Sequence, residues 1–382
     1  MKKFLLLLLS VALTGALLAV NVKSTKGYCL ESEAAASYVM DYATKTRVFA
    51  VNETKRLPIA SMTKIMLLDL VFDSVEKGTL KMDEVVTVSK TASGMGGSQV
   101  FLQADKGYVV KDLIKSVIIA SANDASVALA ERLYGSESAC VAAMNARAKS
   151  LGLNDTLFSN CTGLPKPTQY SCAKDVAEML YALIGHEGYF EFSSVWLDEL
   201  THPDGQKTTL TNTNKLVRFY AGCDGGKTGY TSEAGFCLAA TAKRGGMRVI
   251  SVAIGEKESK KRFADVSYGF DQVFDNYVQK IVVDKDYGQK QAAFVAGGKT
   301  DVVYAEPKET VYAFMKKTDD TPFEVRHFLN GDLSAPIAKG EEIGSVTVYK
   351  DGVEYKKVPL VAAEAVERRS YSDVVRRYSG EW

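Results

Sequence analysis

Hydrophobic and polar positions fall along this chain in blocks of different period. Residues 36–52, "ASYVMDYATKTRVFAVN", alternate apolar and polar side chains around a turn-like centre, and predict a β-hairpin. A helix follows through "PIASMTKIMLLDLVFDSVEK", running to about Lys77, with Gly78 as its stop. It is apolar almost all round, so it belongs inside a domain, packed on several sides. "VKDLIKSVIIASANDASVALAERLYG" predicts two helices broken near Ala120–Asn123, the second ended by Gly135. "ESACVAAMNARAKSLGL" and "SCAKDVAEMLYALI" predict two more, the latter starting near Ser171 or Cys172.

From about 222 to 254 the texture is that of strands, with a hairpin at Arg244-Gly245-Gly246. A helix from about Lys257 to Val278 carries Phe263, Val266, Phe270, Val273, Phe274 and Tyr277 at helical spacing. Strands flanking a helical middle predict an α+β domain whose sheet draws on both ends of the segment. Beyond about 282, short β-type runs with turns such as Lys350-Asp351-Gly352 predict a small all-β domain, a spacer or positioning module. The tail "VERRSYSDVVRRYSGEW" sets Tyr371, Val374, Val375, Tyr378 and Trp382 on one helical face, with Arg368, Arg369, Arg376 and Arg377 around it. That suits a membrane interface, or a terminal helix docked on its own protein.

Composition adds bounds. The chain has 382 residues, 46% hydrophobic and 24% charged, with a net charge of +1. That is room for two or three domains, and the neutral balance gives no support for a nucleic-acid partner. Lys2 and Lys3 precede an apolar run from Phe4 to Val20, the form of an export signal. An uncleaved anchor is the competing reading, because the run sits near the short limit of about 17 residues for a span. The boundaries expected are 1–24 leader, 25–280 first domain, 281–364 β-domain and 365–382 tail. Six cysteines permit disulfides without requiring them. With no C-x-x-C and three isolated histidines, no metal site is expected.

The candidate chemistry begins at Ser61 and Lys64, three positions apart on one helix face inside the apolar run. Burial lowers a lysine's pKa, and such a lysine can take a proton from a neighbouring serine. A solvent-edge lysine near a helix start would give the same short pattern. Two further patterns decide: Ser121-Ala122-Asn123 at the helix break, and Lys227-Thr228-Gly229 at a strand start after "CDGG". Each alone is weak, a helix cap or a strand edge, but their order and settings together resemble the active-site serine fold of penicillin-binding proteins and β-lactamases. Within it, "GGSQVFLQADKGYVVKDLIKSVIIASANDASVALAE", "MNARAKSLGLNDTLFSNCTGLP" and "GCDGGKTGYTSEAGFCLAATAKRGGMRVISVAIG" resemble the low-molecular-mass D-alanyl-D-alanine carboxypeptidases over about residues 30–280.

The resemblance implies a β-lactamase/transpeptidase-like catalytic domain, an antiparallel sheet with a helical cluster, and no cofactor. It implies Ser61 as nucleophile, Lys64 as its base and Ser121 as proton relay, bridging towards Lys64 and Lys227. Asn123, Lys227, Thr228, Gly229, Tyr230 and Arg262 would bind substrate, with the Ser61 and Tyr230 backbone N–H groups as oxyanion donors. Arg262 in "SKKRFAD" matches by position, and a solvated helix-start arginine is its plain alternative. The family often has His where this chain has Tyr230, which bears on substrate preference. The partners implied are peptidoglycan stem peptides ending in D-Ala-D-Ala and β-lactam antibiotics as acylating inhibitors, met outside the cytoplasmic membrane. A class A β-lactamase would need a Glu-x-x-x-Asn loop between Asn123 and Lys227, and none is there. A non-catalytic wall-binding protein would have no reason to keep Ser61, Lys64, Ser121, Asn123 and Lys227 together.

Overall fold

The computed structural model describes residues 33–286 and 291–379. The expected leader, Cys29 and Trp382 lie outside the described residues. The predicted first hairpin forms from Ala36–Asp41 and Arg47–Val51, and it does not stand alone. Its first strand pairs with Met247–Glu256, Ala36 opposite Ile254, so the two chain ends of this region meet in the middle of a sheet. The spatial order is Arg47–Val51, Ala36–Asp41, Met247–Glu256, Gly235–Arg244, Cys223–Thr231, antiparallel throughout.

Helices cover both faces, which is why the central strand reads as the near-continuous apolar run "VISVAI" rather than an alternation. Helix Ser259–Asn276 lays Val266, Phe270, Val273 and Phe274 on one face, against Leu238, Ala240 and Val249. The other face meets the helical cluster. Helix Lys64–Glu76 is its axis, buried from Lys64 through Phe72 and packed on Ala173–Leu183. Each of its fully buried Leu, Val and Phe side chains contributes roughly 1.5–3 kcal/mol of burial free energy. The break between Val110–Ala120 and Asn123–Tyr134 falls at Ser121, with Gly135 capping the second helix. The remaining predicted helices are Glu137–Ser150 and Ala173–Leu183, the latter capped by the Cys172 thiol.

The later residues form a second antiparallel sheet of Gln291–Phe294, Val302–Pro307, Val353–Ala362, Glu342–Lys350 and Phe323–Leu329, in that order. Val295, Val303, Val346, Val348, Val358 and Leu360 fill its core. Asp351 and Gly352, at φ 51° and 75°, make the predicted two-residue turn. Strand Tyr277–Val283 leads out of the long helix and pairs with Val311–Lys316, and Tyr277 stacks on Phe314 at 4.7 Å.

The tail helix is Tyr371–Ser379, shorter than expected at its start. Val366 is buried in the β-domain, Arg368 Nε donates to the Ala335 carbonyl (3.1 Å) and Arg369 pairs with Asp301 (2.6 Å). Two of the four tail arginines are thus struts of the domain, while Tyr371, Val374 and Val375 stay exposed. Among the described residues no helix is long and apolar enough to cross a membrane. The five described cysteines, Cys140, Cys161, Cys172, Cys223 and Cys237, are buried with free thiols.

Candidate active site

Ser61 lies in a short 3₁₀ turn, Ala60–Thr63, that runs straight into helix Lys64–Glu76. Ala60 has φ 47°, a left-handed conformation that a side chain normally avoids. Two glycines press closely on this turn. A Cβ on Gly163, at φ 84°, would overlap the Ala60 carbonyl and sit 2.8 Å from Ser61 N. A Cβ on Gly229 would sit 2.6 Å from the Ile59 carbonyl oxygen. The loop 160–164 and the strand Cys223–Thr231 therefore clamp the serine between backbones.

Lys64 is fully buried beside it. Its Nζ lies 3.1 Å from Ser61 Oγ, 2.7 Å from Asn123 Oδ1 and 2.5 Å from the Thr162 carbonyl oxygen. Burial drives its pKa down to about 7, against smaller upward pulls from Cys161 and Asp124. A neutral amine has two N–H groups and one lone pair. Asn123 Oδ1 and Thr162 O can only accept, whereas Ser61 Oγ can donate. The three neighbours accept three N–H groups of a charged lysine, and once it is neutral its lone pair can face the serine hydroxyl.

Ser121 closes helix Val110–Ala120 in the left-handed conformation, φ 63° and ψ 29°. Asn123 opens the next helix, with Nδ2 donating to the Gly96 carbonyl (2.7 Å) and its backbone N to Ser98 O (2.7 Å). The amide keeps one N–H and one lone pair for a ligand. Among the described residues no hydrogen bond joins the Ser121 hydroxyl to either lysine. Lys64 already has three partners, and Lys227 Nζ donates to Thr228 O (3.0 Å).

Lys227 and Thr228 are buried on the edge strand, and Tyr230 is 56% exposed, stacked on Phe236 at 4.3 Å. Burial first, then the charges of Lys64 and Arg262, holds the Lys227 pKa well below its ordinary value. Arg262 reaches from helix Ser259–Asn276 to the Gly229 carbonyl (3.1 Å), over the rings of Phe236 and Phe263. Its Nε is buried without a partner, and burial lowers its pKa. Arg262 is therefore not a solvated helix-start residue. Three basic side chains converge here, and a bound anion would favour their charged forms.

Residues 21–258 match the family defined as D-alanyl-D-alanine carboxypeptidase, and residues 278–368 the family defined as the C-terminal domain of penicillin-binding protein 5. The chain belongs to the D-alanyl-D-alanine carboxypeptidase family. It is 37% identical to D-alanyl-D-alanine carboxypeptidase DacF of Bacillus subtilis (strain 168), over 92% of this chain and 91% of that one. It is 33% identical to carboxypeptidase DacC of Escherichia coli (strain K12), over 89% and 86%. Penicillin-binding protein 5 of Haemophilus influenzae superposes with a TM-score of 0.75 at 28% identity, covering 90% of this chain and all of that one. Penicillin-binding protein D2 of Listeria monocytogenes, in its ampicillin-bound form, superposes with 0.57 at 32% identity, covering 64% and 98%.

The fold expected of a D-alanyl-D-alanine carboxypeptidase is thus the fold found; of the expected site residues, hydrogen bonds join Ser61 and Asn123 to Lys64 and Arg262 to the Gly229 carbonyl, and among the described residues none joins Ser121 to either lysine. Other contributors give no chemical signal in sequence. The Thr162 carbonyl is a backbone atom. Asn160 holds its loop by accepting from Gly163 N (2.7 Å) and Thr162 N (3.2 Å) through one side-chain oxygen. Tyr189 Oη accepts from Gly226 N (3.0 Å), and Asn214 Nδ2 donates to the Gly225 carbonyl (3.1 Å), fixing the approach to Lys227. The glycine and asparagine of "SNCTGL" are the signal that could have located the first of these, since both are turn-making residues.

Proposed function

We propose that this protein is a serine-type D-Ala-D-Ala carboxypeptidase that trims peptidoglycan stem peptides and is acylated by penicillin. The observation that carries the reading is the fully buried Lys64, its Nζ 3.1 Å from Ser61 Oγ. Ser61 Oγ attacks the carbonyl between the two D-alanines while its proton passes to Lys64 Nζ. The backbone N–H groups of Ser61 and Tyr230 receive the oxyanion, and such a donor is typically worth about 3 kcal/mol of barrier. The partial positive charge at the start of the nucleophile helix adds to this. The C–N bond breaks as the leaving amine takes a proton by way of Ser121. Water then hydrolyses the acyl-serine, releasing the shortened peptide.

Asn123 holds the backbone amide of the acyl portion with its spare N–H and lone pair. Thr228 and Arg262 meet the terminal carboxylate, and Lys227 supplies charge behind them. The same carboxylate is present in a penicillin, whose strained amide replaces the scissile bond. The ampicillin-bound relative supports that part of the reading. Export rests on the basic and apolar start of the sequence, and the substrate's place outside the cell agrees with it. The exposed apolar side chains of Tyr371, Val374 and Val375 support contact with the membrane surface.

Mass spectrometry after incubation with a fluorescent penicillin tests the chemistry. An adduct on Ser61 and release of D-alanine from a stem pentapeptide are expected. A folded protein without the adduct, or rapid turnover of the drug, overturns the reading. Liposome co-sedimentation with and without residues 371–382 tests the tail, because a cut at 366 would also remove struts of the β-domain.

A further inference from the structure

Among the described residues, seven non-glycine positions have positive φ: Lys45, Asn52, Ala60, Phe101, Asp105, Ser121 and Asp351. Lys45, Asn52, Asp105 and Asp351 are exposed polar residues at turns, three of them Asn or Asp, whose short side chains tolerate the conformation. Ala60 precedes the nucleophile, and Ser121 is itself a site residue. Phe101 is the outlier. It holds φ 63° and is 65% exposed as a residue, so no burial compensates a conformation that bulky residues avoid.

The cause of the strain is visible. The fully buried carboxylate of Asp124 accepts from Val100 N (3.1 Å) and Leu102 N (3.0 Å), the two amides that bracket Phe101. Val100 and Leu102 are themselves in the core, so the residue between them is turned outward. Asn123, the neighbour of Asp124, ties the start of the same loop through Gly96 O and Ser98 O. Three residues of chain, about 10 Å at full stretch, separate Ser98 from Phe101. One short segment, Asn123-Asp124, thus holds both the start of this loop and the backbone on either side of an exposed aromatic residue.

We propose that Phe101 is a specificity-determining residue, its ring forming an aromatic wall for the acyl-side arm of the substrate, the part on the amino-terminal side of the scissile bond. This rests on the carboxypeptidase reading. There the terminal carboxylate lies towards Thr228 and Arg262, and Asn123 takes the acyl-side amide. The chain continuing past Asn123 leaves along the wall that the loop 96–102 builds. The arm it carries is rich in methyl and methylene groups, which an aromatic face receives well. A dipeptide substrate with a short cap has no such arm.

Steady-state kinetics of Phe101→Gly and Phe101→Tyr on a stem pentapeptide and on N-acetyl-D-Ala-D-Ala test this. Glycine accepts positive φ, so the first variant keeps the loop without strain, and its melting temperature should not fall. Its kcat/KM on the pentapeptide should drop about tenfold or more, carried by KM, with the short substrate changed by less than about twofold. Phe101→Tyr should restore the pentapeptide value. An unchanged pentapeptide value in Phe101→Gly overturns the proposal, and so does an equal loss on both substrates. Failure of the wild-type protein to cleave either substrate or to take up fluorescent penicillin would instead remove the carboxypeptidase reading.

Discussion

Lys64 is where sequence and environment most clearly meet. Its partners accommodate a neutral amine, and burial brings its pKa to about 7. Acylation of Ser61 should therefore accelerate as pH rises through about 7, as the base loses its proton, and then level. Lys64→Ala should lower the acylation rate by roughly 10²–10⁴-fold, the usual range for a positioned base, as followed by stopped-flow penicillin binding. Asp124 pulls the other way, since its carboxylate favours the charged lysine. Asp124→Asn should move the rising limb of the pH profile to lower pH. A limb that stays in place would remove Asp124 from the tuning of Lys64. The residue types at this site were legible in the sequence because side-chain chemistry is local. The Thr162 carbonyl was not, because any residue could have supplied it.

At the scale of single elements, the nucleophile helix carries a second buried polar group. Asp69 pairs with Arg147 at 2.8 Å, and His186 bridges Asp69 (3.3 Å) and Glu76 (2.8 Å). Burial pushes the Asp69 carboxyl up, but His186 and Arg147 together outweigh it and hold it below the usual range. The Asp69 hydrogen bond, opposed by burial and aided by Glu76, raises the His186 pKa. A raised histidine pKa means stability that is fully present below its unfolded value of 6.5 and lost as pH climbs through the folded value. The lowered carboxyl works oppositely, its share lost as pH falls below 3.8. The gap in melting temperature between wild type and His186→Gln should therefore be widest between about pH 4 and 6.5 and close in alkali. The loop that clamps Ser61 has its own test. Gly163→Ala should cost about 1–3 kcal/mol of stability and slow acylation up to roughly 10²-fold, read by denaturant melts and penicillin uptake. The helix itself was legible from its unbroken apolar run. His186 was not, because its partners lie 117 and 110 positions away by subtraction (186 − 69, 186 − 76), and no local period links them.

At the scale of the whole molecule, the change from helix-rich to strand-rich texture near 282 foretold the second sheet, and turn residues such as Asp351-Gly352 foretold its hairpin. The end of that domain was not legible. Arg368 and Arg369 look like tail charge in sequence, yet their bonds to Ala335 and Asp301 come from strands and loops far back in the chain. Removal of residues 371–382 should leave the melting temperature and Ser61 acylation within error while reducing liposome binding. Removal from 366 should lower the melting temperature as well, because Val366 leaves the core.

The pairing of Ala36–Asp41 with Met247–Glu256 has a temporal meaning. A ribosome delivers the first strand early, with Tyr38, Val39 and Met40 ready to be covered, but its inner neighbour comes only after the whole helical cluster. Such distant pairing slows folding and leaves an apolar strand unaccompanied meanwhile. The strand that carries Lys227 reaches the sheet only through that late neighbour. An incomplete chain can thus hold a serine and a lysine side by side in a helix and still be unable to hold a peptide against them: competence arrives last, with the closing of the sheet.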